Sequence, residues 1–157
     1  MSSMRRAARL FIALGSMASA LVGQPGLAWA VGQDLVVEEP EKKKIVSDAA
    51  VQSEMTTIRN LTLDVHTLVT HRRMPPAEAR KYHGRITQAV AKIEAETMLR
   101  GAPRETLDAI LQDIVAGAAA IAGADKSIDP IDGIVLIDDA LKRYEELFEH
   151  PGWQPLR

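Results

Sequence analysis

The chain contains no cysteine. That excludes a disulfide framework, a c-type haem attachment, a thiolate metal site and a cysteine nucleophile. Aromatic residues are scarce, with two each of Trp, Tyr and Phe in 157 residues, so a core must be built from aliphatic side chains. No G-x-S-x-G elbow occurs, and no H-E-x-x-H or E-x-x-H pair. The serine-elbow hydrolases, the helical zinc proteases and the di-iron carboxylate proteins as normally written are therefore excluded. Nothing alternates at period two for long enough to make a strand. The one β-like run, GIVLI from Gly133, sits inside a helical stripe. Charge of one sign is lacking too: 19 basic residues face 21 acids.

What is present begins with an export signal. MSSMRRAAR carries three arginines and no acid, LFIALGSMASALVG is apolar, and LAWA places small residues at Ala28 and Ala30. A charged start, an apolar middle and an A-x-A site predict a secretory signal peptide over 1–30. The apolar run falls short of the roughly 20 residues a membrane span needs. Arg5-Arg6 is followed by Ala7-Ala8 rather than by apolar bulk, which favours the general secretory route over twin-arginine export. Cleavage after Ala30 leaves 127 residues, enough for one domain with a real core. The signal takes three basic residues and no acid with it, so the mature net charge is −5. That balance speaks against nucleic acid and anionic membranes as partners. With no second apolar span, the expected location is the periplasm, or outside the cell.

Residues 31–46, VGQDLVVEEPEKKKIV, are charged, hold Pro40 and show no period. They read as a flexible leader. From 47 to 157 the pattern is helical. Val51, Met55, Ile58, Leu61, Val65 and Leu68 form one stripe from Ser47 to about Arg73. Pro76 opens a second helix with Ala79, Tyr82, Ile86, Val90 (or Ala89), Ile93 and Thr97 inward, and Gly101 ends it. Pro103 opens a third, with Leu107, Ile110, Ile114, Ala118 and Ile121 inward, stopped by Gly123. The fourth carries Ile134, Ile137, Leu141, Tyr144 and Phe148. Four helices of about 20 to 28 residues with short connections predict an all-α, up-down-up-down four-helix bundle.

ADKSIDPIDG, from Ala124, has the alternating acids of a calcium loop. Counted from Asp125, however, the sixth and twelfth positions hold Pro130 and Leu136, where glycine and glutamate belong. The expected role is structural: Asp129 caps the fourth helix, Pro130 takes its first position and Asp132 its first turn.

Two ends of the bundle could carry chemistry. One collects Met55, Met98, Phe148, His150 and Trp153. Thioether and imidazole suit Cu(I) or b-type haem. A methionine on the first helix and a histidine late on the fourth resemble the haem site of cytochrome b562-like bundles. That resemblance implies Met55 and His150 as ligands, with Met98 nearby, although His150 directly precedes Pro151-Gly152. The other end collects His66 and His83 at similar heights on adjacent helices, where they could clamp a metal with a carboxylate such as Asp64. His71, Arg72, Arg73, Arg80, Lys81 and Arg85 make the first turn basic, facing Asp125, Asp129 and Asp132. AGAAAIAG, Ala116 to Gly123, lets helices approach closely. Among the carboxylates only Asp138, beside a core position, could be desolvated enough for acid–base work.

The tail YEELFEHPGWQPLR is the most distinctive string. Its aromatics and Pro-Gly stop suggest a plug folded over the end of the bundle. It resembles the C-terminal signature of small, uncharacterised exported helical proteins of proteobacteria, a resemblance that brings no activity. Spy-kind stress chaperones are helical and exported, but their repeated L-T-x-x-Q signature is missing. The resulting expectation is a non-catalytic periplasmic protein with no cofactor that binds another periplasmic protein. The alternative is a carrier of haem b or copper through Met55 and His150.

Overall fold

A computed structural model describes residues 43–156. The expected signal segment 1–30 and most of the expected leader lie outside the described residues. The fold is all-α. Four helices carry it: α1 (Ala49–Thr70), α2 (Pro76–Glu96), α3 (Ala102–Ile121) and α4 (Pro130–Leu147). Helix α1 packs on α2 and on α4, α2 on α3, and α3 on α4. None of the described helices is long and apolar enough to cross a membrane.

Each helix starts for a local reason. Asp48 caps α1, its Oδ1 accepting from the Val51 N–H at 2.9 Å. Proline opens α2 and α4 and stands in the first turn of α3. Asp129 caps α4 through the Ile131 N–H at 2.9 Å, as the acid-rich loop predicted. The α1 terminus is less ordinary. Arg72 takes the left-handed φ of 54° that usually falls to glycine. The Arg72 and Arg73 N–H groups then donate to the Val69 and Leu68 carbonyls, satisfying the end of the helix. The Arg72 guanidinium forks onto the Asp129 carboxylate at 3.1–3.3 Å. One arginine thus joins the end of α1 to the cap of α4.

The core follows the stripes, with informative departures. On α2, α3 and α4 every predicted inward residue is buried. On α1 the stripe holds through Leu61 and then slides. Val69 is buried and Leu68 is 38% exposed, the reverse of the expectation. At 3.6 residues per turn Val69 stands five whole turns beyond Val51 and keeps the face, which a third step of three, to Leu68, leaves. Thr62 fills the turn between, its hydroxyl donating to the Ile58 carbonyl at 2.9 Å. That hydrogen is spent, so Tyr82 on α2 donates its own to Thr62 at 3.1 Å. The helices are 18 to 22 residues long, shorter than several of the stripes.

The small-residue stretch gives close packing. A Cβ on Gly117 would collide with the Gly133 carbonyl and stand 2.6 Å from Ile137 Cγ1. One on Gly133 would stand 2.8 Å from the Gly117 carbonyl. The α3 and α4 backbones touch at these two glycines.

Two expectations need correction. The leader does not stay unpaired to residue 46, and the chain is not free of strands. Ile45–Val46 (β1) pairs in parallel with Phe148–Glu149 (β2). Ser47 extends the link, its N–H and hydroxyl both donating to the Glu149 carbonyl. Phe148 is buried as predicted, but from β2 rather than from the fourth helix. A pairing of two residues across a hundred positions leaves no local period to read.

Candidate functional site

The tail does more than close one end. Trp153 packs edge-on against Tyr144, with ring centroids 5.0 Å apart, and Tyr144 stacks on Phe148 at 5.0 Å. From there residues 153–156 turn along the seam between α1 and α4. Arg59 on α1 holds them, its guanidinium donating to the carbonyls of Gln154 and Pro155. Beside this strap lies a recess of about 490 Å³, walled by Leu63 and His66 of α1, Asp138 and Lys142 of α4, and Trp153 and Leu156 of the tail.

The electrostatics of the recess centre on Asp138. Burial pushes its carboxyl above the usual range, partly offset by the hydrogen bond and charge of His66 and reinforced by Asp139. His66 Nε2 stands 3.1 Å from Asp138 Oδ2. Asp138 Oδ1 is buried with no hydrogen-bond partner, and so is Trp153 Nε1. Among the described residues these are the two buried side-chain polar atoms left unpaired, and both belong to residues lining this recess. An unpaired buried polar group costs about 1–3 kcal/mol, and both atoms are closed off from solvent, so this cost is carried in the walls of the recess. Lys142 and Asp139 add charge of both signs at the rim. Among the described residues the His66 side chain is hydrogen-bonded to Asp138.

The residues predicted to bind a cofactor are placed as follows. Met55 is fully buried in the core. Met98 is 78% exposed on the α2–α3 connection, in a separate recess with Glu54 and Lys92. His150 is half-buried in the aromatic cluster. Its Nδ1 lies 2.9 Å from the Tyr144 hydroxyl and its Nε2 3.4 Å from Thr56 Oγ1. Burial pushes the Tyr144 phenol to about 12, so it keeps its proton and donates to Nδ1. Thr56 already donates to the Gln52 carbonyl, so it accepts from Nε2. Both imidazole nitrogens are thereby engaged, and a metal could take either only by breaking one of these contacts. His66 and His83 are not joined: His66 bonds Asp138 on α4, and His83 stands half-buried on α2. Among the described residues no group of three or more His, Asp or Glu side chains could hold a metal ion.

Sequence reading located Asp138 but missed its partner on α1 and missed Arg59. The apolar tail residues Trp153 and Leu156, spaced by Pro155, signalled an extended segment that must be covered somewhere. Arg59 left no signal, because its partners are backbone carbonyls. No protein-family model matches the chain, and neither a curated protein nor a solved structure is similar to it at a significant level.

Proposed function

We propose that the protein is an exported, up-down-up-down four-helix bundle without catalytic activity, which binds a segment of a partner protein in the periplasm along the α1–α4 seam. The observation that carries this reading is the recess of about 490 Å³ on the seam, bounded by the strap and walled by apolar and charged side chains together. The apolar walls at Leu63 and Leu156 suit an aliphatic side chain of the partner, and the mixed charge of Lys142 and Asp139 suits a polar flank. Export rests on the pattern of the first thirty residues.

The test is site-specific photo-crosslinking in the native periplasm. A photoreactive residue at Leu63, in the seam, should yield a discrete protein adduct. One at Gln112, in the α2–α3 groove, should not. Equal labelling at both positions, or none at Leu63, would overturn the assignment. Absorption and metal analysis of the same purified protein address the carrier reading. Stoichiometric haem or copper, lost on His150→Ala, would replace partner binding with cofactor carriage.

A further inference from the structure

The outer face of α2 carries a charge pattern that matches itself in reverse. Arg80, Lys81 and Arg85 occupy its N-terminal half, where Glu78 engages Lys81 at 3.9 Å and leaves Arg80 and Arg85, and Glu94 and Glu96 stand at its C-terminal end. The two glutamates stand in the last turn, where the helix dipole opposes a carboxylate. Lys92 is drawn off to Glu54 at 2.6 Å, leaving that end acidic. Within one α2 helix Glu96 gains only the neighbouring charge of Lys92, whereas both glutamates would be favourable against a second α2 running the other way.

Gly84 is an independent oddity on the same face. It is exposed in mid-helix, and a Cβ there would meet nothing within 4 Å. Glycine in an exposed helix interior is the costly choice relative to alanine. No turn, positive φ or internal packing accounts for it. Ala77 and Ala91 lie seven residues to either side, also exposed, so all three share one side of the helix. That side points away from Ala79, Tyr82, Ile86 and Ile93, which face the core.

We infer that a second copy of this chain docks on the outer face of α2, with the two α2 helices antiparallel about a two-fold axis near Thr87. In the register that sets Gly84 opposite the partner's Ala91, Arg80 comes within one residue of the partner's Glu94. The two-fold repeats each pair. The glycine and alanines let the axes approach to the short end of the usual 8–10 Å. A contact one helix long, about 31 Å for 21 residues, is small for a protein interface and gives a reversible dimer. The α1–α4 seam lies on other helices and stays open in both copies, so this inference does not depend on the seam's function.

Sedimentation equilibrium of the purified protein from micromolar to millimolar concentration tests it. The expected result is a monomer–dimer equilibrium that weakens with added salt. Arg80→Glu and Glu94→Arg should each weaken the dimer on the order of tenfold, and the double variant should restore it. Gly84→Trp should abolish the dimer while the monomer keeps its helical circular dichroism and unfolds at no lower temperature, because the site has room for a side chain. A monomer throughout the range, or a dimer indifferent to Gly84→Trp and to both charge reversals, overturns the proposal.

Discussion

At the scale of single residues, the side chains that look like ligands are mostly engaged in holding the fold. His150 links Tyr144 on α4 to Thr56 on α1, and burial holds its imidazole below the ordinary histidine range. The folded state therefore resists protonation at His150, while the unfolded chain takes up a proton near 6.5. Its share of stability is complete above that value and is lost as pH falls through it to the lower folded value. Asp138 contributes with the opposite sign and further into acid, since its raised folded value relieves a burial penalty on protonation. Urea denaturation of the native protein should show stability falling from pH 7 to 5.5. In His150→Gln that slope should flatten. Tyr144→Phe removes the donor to Nδ1 and should cost about 1 kcal/mol at pH 7, measured the same way. Asp48 shows why such roles escape sequence reading. Burial pushes its carboxyl up, but hydrogen bonds from the Val51 N–H, Thr97 and the Met98 N–H outweigh this and hold it below the usual range. The cap was legible as an Asp before a helical stripe, though Ser47 was the residue first read as the start. The clamp onto the α2–α3 connection, 2.7 Å to Thr97 and 2.8 Å to Met98, was not legible, because it depends on which loop meets which helix end.

At the scale of elements, glycine separates two kinds of helix face. Gly117 lies where α3 and α4 touch, so Gly117→Ala must push the helices apart. Overpacking of this kind costs about 1–3 kcal/mol against roughly 1 kcal/mol of helix propensity gained. The net expectation is destabilisation by about 1–2 kcal/mol. Gly84→Ala, on the open face of α2, should instead stabilise the dilute monomer by up to about 1 kcal/mol. Urea midpoints of the two variants, measured at low protein concentration, check both signs. The elements themselves were largely legible: aliphatic stripes, prolines and caps placed four helices within a few residues of their ends. The last turn of α1 was misread because Leu68 and Val69 are both apolar, although a count of 18 residues, five whole turns, from Val51 selects Val69. The β1–β2 pair was not legible, since its register is set by the docking of α1 beside the end of α4.

At the scale of the whole molecule, the tail decides what the α1–α4 seam presents. Residues 153–156 pack one side of the recess with Trp153 and Leu156 and are anchored by Arg59. Trp153→Ala removes the aromatic contact with Tyr144 and part of that wall. It should lower stability by about 1–3 kcal/mol with no loss of helix, as seen by circular dichroism alongside urea unfolding. The sequence marked this segment as apolar and destined for cover, but only in part where: Trp153 packs on Tyr144 at the end of α4, as an end plug would, and residues 154–156 run on along the seam. The central claim is that this seam is where a partner protein binds. Hydrogen–deuterium exchange of the protein with and without the partner crosslinked from Leu63 tests it most directly. The account predicts new protection confined to residues 59–67 of α1, 138–145 of α4 and 153–156 of the tail. Protection instead in the α2–α3 groove around Gln112 and Val115, with the seam unchanged, would contradict it.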